Sequence, residues 1–274
     1  MKLYYKDEYI RLFQGDCLEV MDKLIEKGIE FDAIITDPPY GTTACKWDTI
    51  IPFDKMWDKI TQLIKDKGAI VLNGSQPFTS ALIMSNPQLF RYEIIWDKVK
   101  PSNFQMMNFQ VGRVHENILI FSKAKAVFSK GNEMNYYPQK TKRDDIKKVN
   151  KTFYGSRNST LREGHTIKDL GHKEYKDRHP TSIYTLSNAS MSGKKLHPTQ
   201  KPIELLEYLI NTYTKENELI LDFTCGSGTT AIACLNTERN YIGFEWSLSE
   251  PHDQYFNLAI KRVREHKEKL LSNQ

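Results

Sequence analysis

The chain has 274 residues, 39% of them apolar and 27% charged, with a net charge of +5. That length holds one sizeable core with room for a smaller second unit. Its apolar runs, such as Phe31–Thr36 and Asn117–Phe121, are strand-sized and fall far short of the ~20 residues that span a bilayer. No membrane partner is therefore expected. Charges fill Met1–Glu8, where a secretory signal would carry its apolar stretch, so a cytoplasmic protein is expected. The cysteines at 17, 45, 225 and 234 lack paired zinc-type spacing, so reduced thiols and no bound metal are expected.

In chain order, strands are predicted at Tyr9–Gln14, Phe31–Thr36, Ala69–Asn73, Tyr92–Asp97, Asn117–Ser122, Leu219–Phe223 and Tyr241–Glu245. Helices are predicted at Leu18–Glu26, Phe53–Lys65, Pro77–Met84, Ile203–Thr214, Thr229–Leu235 and His252–Leu270. Such alternation predicts an α/β fold with a seven-stranded, mostly parallel sheet covered by helices on both faces. The rhythm stops over residues 126–196, which are polar and interspersed with aromatics, so an insertion is expected to divide the main domain into 1–125 and 197–274. Between Lys123 and Lys201 there are 18 Lys and Arg against 7 Asp and Glu, a surplus of +11 that leaves the rest of the chain at −6. A basic segment in an otherwise acidic chain fits either a polyanionic partner or a solvated loop.

Three motifs carry chemistry. Asp37-Pro38-Pro39-Tyr40 follows the apolar strand Phe31–Thr36, at the carboxyl edge where open parallel sheets bind ligands. Its two prolines stiffen the turn. The Asp37 carboxylate and Pro38 carbonyl become fixed acceptors, and Tyr40 offers a flat face. An aromatic amino group is a poor nucleophile because its lone pair is delocalised. Two acceptors that hold its protons favour the pyramidal form and stabilise the positive charge developing on nitrogen. Methylation at a pyrimidine carbon would instead need a thiolate, commonly a cysteine ahead of proline, and none of the four cysteines precedes one.

The second motif is Leu221-Asp222-Phe223-Thr224-Cys225-Gly226-Ser227-Gly228-Thr229-Thr230, a strand entering a glycine turn and then a helix. The glycines allow close backbone approach, and the helix start favours an anionic group. About 20 residues on, Gly243-Phe244-Glu245 places a carboxylate where ribose hydroxyls are usually held. The pattern also suits a dinucleotide enzyme, but too little chain follows for the βα units that hydride transfer would need. The third motif, His197-Pro198-Thr199-Gln200-Lys201-Pro202, precedes the helix that leads into the glycine strand; by itself it reads as a loop.

In this order the three motifs resemble the beta-class amino-methyltransferases of DNA over some two-thirds of the chain. The resemblance implies a Rossmann-like fold, S-adenosylmethionine as cofactor, double-stranded DNA as partner and a restriction–modification enzyme, with monomer or homodimer left open. It implies that Asp37 and Pro38 hold the target amino group, with Pro39 shaping the turn, while Tyr40 stacks on the flipped base. Asp222, Thr224, Cys225, Gly226, Gly228 and Thr229 would cradle the cofactor, Glu245 its ribose, and Gly15-Asp16 its adenine. Thr199-Gln200-Lys201-Pro202 would close on its methionine end. His115–Phe121 resembles the strand that leads the class into its recognition domain, which the basic insert would form. Phe223 and Thr224 depart from the proline and aromatic often found after the strand aspartate.

The function expected is methyl transfer to the 6-amino group of adenine, with the 4-amino group of cytosine as the alternative. Asp37 favours adenine, since serine more often opens the tetrapeptide of cytosine enzymes. An asparagine-first version would fit protein-glutamine methylation, and a binding module on a dead fold would not need an intact Asp37 and glycine motif. Lys147, Lys148, Lys151 and Arg157 are the expected phosphate contacts. Neutralising Lys147, Lys148 and Lys151 together should weaken binding to all DNA sequences alike. It should also flatten the slope of log K against log salt by about 0.9 for each phosphate that is no longer neutralised. A salt titration on a cognate and a scrambled duplex measures this, and an unchanged slope would make these lysines a solvated face.

Overall fold

The computed structural model describes residues 2–42, 48–150, 172–187, 200–245 and 253–272. The chain forms two compact units, one comprising Met1–Tyr137 with Thr181–Gln274 and the other Pro138–Pro180.

The larger unit is built on nine strands: β1 (Lys2–Lys6), β2 (Ile10–Gln14), β3 (Phe31–Thr36), β4 (Ile64–Gly74), β5 (Phe90–Asp97), β6 (His115–Phe121), β9 (Ile183–Thr185), β10 (Leu219–Asp222) and β11 (Asn240–Glu245). They form one sheet in the order β1-β2-β11-β10-β3-β4-β6-β5-β9. Five of the eight pairings are parallel, with β1–β2, β4–β6 and β5–β6 antiparallel. The mostly parallel sheet was expected, but it has more than seven strands. β1 is a mostly exposed edge strand without a clear apolar alternation, and β9 has only three residues, so neither carries a legible period.

From Ala33 on, successive side chains of β3 point to opposite faces, after an irregularity in register between Phe31 and Ala33. Ala33 and Ile35 join one apolar cluster with α4 (Ile203–Tyr213), α5 (Thr229–Asn236) and α6 (Asp253–Ser272). Phe31 and Ile34 join the other with α1 (Cys17–Glu26), α2 (Phe53–Leu63) and α3 (Phe78–Ser85). Every residue of β3 is buried, as a strand covered on both faces requires.

The insert expected over 126–196 is narrower as a compact unit, because both its flanks return to the main sheet. Met134 is buried, the amide of Asn135 donates to the Lys67 carbonyl, and that of Tyr137 to the Thr212 carbonyl. On the other flank β9 pairs with β5, and Trp96 Nε1 donates to the Leu186 carbonyl at 2.9 Å. The smaller unit contains an antiparallel pair, β7 (Thr141–Asn150) and β8 (His172–Arg178). Lys147 and Lys148 lie on β7 opposite Tyr175 and Glu174, while Lys151 and Arg157 fall outside the described residues.

Ile34, fully buried between β10 and β4, should be costly to truncate: Ile34→Ala is expected to lose about 3 kcal/mol, the middle of the range for a buried large-to-small change. Met84→Ala, at 73% exposure, should stay within about 0.5 kcal/mol of the parent. Urea denaturation of the two variants checks both.

Candidate active site

β3 and β10 are neighbours, yet the chain leaves β3 toward α2 on one face and β10 toward α5 on the other. This divergence opens a crevice at their carboxyl ends, the usual ligand site of an open α/β sheet. A cavity of about 450 Å³ lies there.

Short polar contacts fix its floor. The Thr36 hydroxyl donates to the buried Asp222 carboxylate at 2.7 Å, and the Thr224 amide donates to the same oxygen at 3.2 Å. The Thr224 hydroxyl donates to the backbone carbonyl of Asp37 at 3.1 Å. The end of β10 thus holds the start of the Asp37-Pro38-Pro39-Tyr40 turn. Phe223, one of the departures from the expected motif, borders the cavity while its side chain is buried in the core. Beyond the turn, Asp48 accepts from the amides of Gly41 and Thr42, both at 2.9 Å.

Asp37 is held from both sides. Tyr40 donates its hydroxyl to Oδ1 at 2.5 Å, while its ring stacks on Phe78 at 5.1 Å. Lys201 Nζ donates to Oδ2 at 2.6 Å and lies 3.3 Å from Glu116 Oε2. Glu116 Oε1 accepts from Lys98 Nζ at 2.9 Å. Burial opposes the charge on Lys201, but the Asp37 and Glu116 carboxylates outweigh it and hold the ammonium above its ordinary range. Burial likewise opposes charge on Glu116, and Lys201 with Lys98 still holds its carboxyl down to about 2.

The glycine turn forms the other half. Gly226 has φ +50, and a Cβ there would meet nothing within 4 Å, so its backbone faces open space. Its amide donates to Glu245 Oε2 at 2.7 Å, which draws the acidic residue at the end of β11 onto the turn. The Glu245 carbonyl accepts from Gly15, whose neighbour Asp16 caps α1 by accepting from the amides of Leu18 and Glu19. Arg262 on α6 donates to the Ser227 carbonyl at 2.6 Å and to Thr229 Oγ1 at 3.2 Å.

Of the expected residues, Asp16, Asp37, Pro38, Pro39, Tyr40, Gln200, Lys201, Asp222, Thr224, Cys225, Gly226, Thr229 and Glu245 line this one cavity. Gly228 and Pro202 do not. Gly228 has φ +75, and a Cβ on it would come within 2.9 Å of Ala259, so it serves the α5–α6 contact; Pro202 precedes α4 as its N-cap residue. Thr199 is outside the described residues. Lys201, expected at the cofactor, is in contact with Asp37. Lining residues not expected include Asn73, Trp96, Lys98 and Glu116. The last two are charged residues bordering apolar strands, and Glu116 also lies in the His115–Phe121 stretch, whose resemblance pointed to a strand and not to the site. Among the described residues, the buried Asn73 Oδ1 and Gln200 Oε1 have no hydrogen-bond donor.

Burial, helped by the Asp16 charge, pushes the Cys17 thiol up to about 12, and burial pushes Cys225 well above its ordinary value. Neither is a thiolate near neutral pH.

A twisted sheet with a cavity at its switch point, an open glycine turn closed by an acidic residue, and rigid acceptors opposite define a Rossmann-like methyltransferase. The chain belongs to the N6/N4 DNA methylase family, whose profile matches residues 31–268. It is 28% identical over 257 residues to the Type II methyltransferase M1.MboII of Moraxella bovis, covering 86% of this chain and 91% of that one. Among solved structures, the M1.HpyAVI–SAM complex superposes with a TM-score of 0.57 at 24% identity, covering 92% of this chain and 99% of the other. The cytosine-N4-specific PvuII DNA methyltransferase gives 0.57 at 14% identity, with 96% and 95% covered. At these identities the two structures establish the fold.

Asp222 generates a pH test. Burial raises its carboxyl to about 6, against opposing hydrogen bonds from Thr230 and Thr36. A folded-state value above the unfolded one means the folded protein binds the proton more tightly, so this group adds stability as pH falls from about 6 toward 4. Asp222→Asn lacks that titration. The difference in melting temperature, parent minus variant, should therefore grow as pH is lowered through this window in calorimetry; a constant difference would refute the assignment.

Proposed function

We propose that this chain transfers the methyl group of S-adenosylmethionine to the 6-amino group of adenine in double-stranded DNA. The observation that carries the reading is the juxtaposition of Asp37, on a stiff turn, with the open glycine backbone of Gly226 in a single cavity.

The residues present fit the donor. Gln200 Oε1 and Asn73 Oδ1 are buried acceptors in need of donors, and a methionine ammonium or an adenine amino group supplies N–H groups. The Glu245 carboxylate suits ribose hydroxyls, and open space in front of Gly226 lets the backbone approach. Bound there, S-adenosylmethionine supplies a methyl group on a positively charged sulfur.

The protein's own part is positioning and electrostatics. Asp37 and the Pro38 carbonyl would accept hydrogen bonds from the target amine, favouring the geometry in which its lone pair points at the methyl carbon. As the nitrogen–carbon bond forms and the sulfur–carbon bond breaks to a neutral thioether, the Asp37 charge stabilises the nitrogen cation, which then loses one proton to solvent. The base must leave the helical stack to reach this depth, at a cost of a few kcal/mol. Raised thiols at Cys17 and Cys225 support an amino group over a ring carbon as acceptor. The smaller unit, with Lys147 and Lys148 on β7, is assigned to contact DNA, and Lys151 and Arg157 are assigned with it on charge. A cytosolic location accompanies this reading; among the described residues no helix is long and apolar enough to cross a membrane. Cytosine-N4 transfer is the second reading, favoured by the superposition on a cytosine-N4-specific enzyme.

Asp37→Ala should abolish transfer of labelled methyl groups to DNA and leave donor affinity within about twofold, because Asp37 acts on the amine; Glu245→Ala should weaken the donor by about tenfold or more, as expected from losing at least one hydrogen bond to a charged group. Calorimetry with a scintillation assay separates the two. Mass spectrometry of nucleosides from the methylated DNA then reads the base. N4-methylcytosine would replace the adenine reading, and Asp37→Ala turnover at the parent rate would end both.

A further inference from the structure

Asp37 is the group on which the proposed transfer depends, and in this structure its charge is already answered. The Lys201 ammonium sits on Oδ2 at 2.6 Å. Each carboxylate oxygen can accept more than one donor, so the obstacle is charge and not the number of lone pairs. A target nitrogen turning positive needs the field of the carboxylate, and an ammonium on the same oxygen cancels it. Lys201 is only 8% exposed, so it cannot simply withdraw into water, and leaving it buried without a counter-ion is costly.

Glu116 offers a second place. Among the described residues its buried Oε2 makes no well-formed hydrogen bond, and its ionic neighbour is Lys201 Nζ at 3.3 Å. Its other oxygen is anchored by Lys98, which is 2% exposed and whose Nζ also reaches Ser102 Oγ at 3.3 Å. The residue after Lys98, Val99, is held at φ +66, a costly backbone for a β-branched side chain, with its amide donating to Asp97 Oδ1 at 2.8 Å. One oxygen of Glu116 is thus fixed and the other lies within ionic reach of the ammonium. The Tyr40 ring, its centroid 5.8 Å from Nζ, gives the cation a favourable surface nearby.

We propose that Glu116 is a positioning residue that takes the Lys201 ammonium when the target amino group engages Asp37, and that Lys98 holds Glu116 in place for this exchange. The inference rests on the role given to Asp37 above. No covalent bond changes: rotation at the end of one lysine side chain swaps one carboxylate oxygen for another, and the four groups keep their charges.

The test is single-turnover transfer of labelled methyl groups at saturating donor and DNA. Glu116→Gln should slow transfer by about tenfold or more, the scale of losing one preorganised electrostatic contact, with donor affinity changed less than about twofold. The distinguishing variant is the double, Glu116→Gln with Lys201→Gln. Removing the competing ammonium frees Asp37, so the double variant should transfer faster than Glu116→Gln alone, an outcome that a merely structural role for Glu116 would not give. If Glu116→Gln does not fold by calorimetry, Glu116→Asp decides: it keeps the charge but draws the oxygen back, and should be slower than the parent with its donor affinity retained. A parent-like rate in Glu116→Gln or in its Glu116→Asp substitute, or a double variant no faster than the single, would overturn the proposal. Asp37→Ala distinguishes the layers. If it is inactive while Glu116→Gln is parent-like, this inference fails alone; if it is active, the reading of the site fails first.

Discussion

The hydrogen bond from the Thr36 hydroxyl to the buried Asp222 carboxylate joins residues 186 positions apart, and the site depends on it. The parallel ladder between β3 and β10 brings the two strand ends side by side. This bond and its neighbour from Thr224 to the Asp37 carbonyl fix how the following turns lie against each other. One turn presents a side-chain carboxylate, the other a bare backbone. A ligand between them is therefore held by two segments whose distance apart is set by the sheet and not by flexible loops. Asp222 is displaced to about 6 by this burial, so the brace costs stability while it stays ionised at neutral pH.

Beside that brace lies a second electrostatic arrangement, the alternating chain Lys98, Glu116, Lys201 and Asp37. Burying any one of these charges alone would cost several kcal/mol. Alternation is what makes the set tolerable, because each carboxylate and ammonium has an opposite neighbour within 3.3 Å. Such a network fixes geometry better than it adds stability. Its residues come from the loop after β5, the start of β6, the segment before α4 and the turn after β3. They meet because β6 runs antiparallel, so its beginning lies at the edge where the parallel strands end.

That last fact explains what could be read from the sequence and what could not. The seven principal strands and six helices of the main unit were legible because long apolar runs and helical spacing reflect burial on two faces of one sheet. The Asp37 turn and the glycine turn were legible because prolines and glycines dictate local backbone. Glu116 was read only as part of a strand, since its role depends on the direction of β6. Lys201 was read as a cofactor contact, while its partner Asp37 lies 164 positions away. Gly228 has the same local signature as Gly226, but only the packing of α6 distinguishes a glycine that clears Ala259 from one that faces open space. The β7–β8 pair was hidden because its sequences are polar, with no apolar alternation along them.

The two halves of the cavity also divide the chemical work. The glycine side offers an open backbone and one acidic side chain, features that recognise a ligand without reacting with it. On the proline side are a carboxylate and, each bonded to it, a phenol and an ammonium. On the proposed reading, target entry moves this second set while donor binding need not disturb it. On the proposed exchange, Lys201 answers the charge of Asp37 until a target amine engages it and then passes to Glu116. The ease of that exchange would follow from how closely Asp37 and Glu116 flank Lys201, at 2.6 and 3.3 Å.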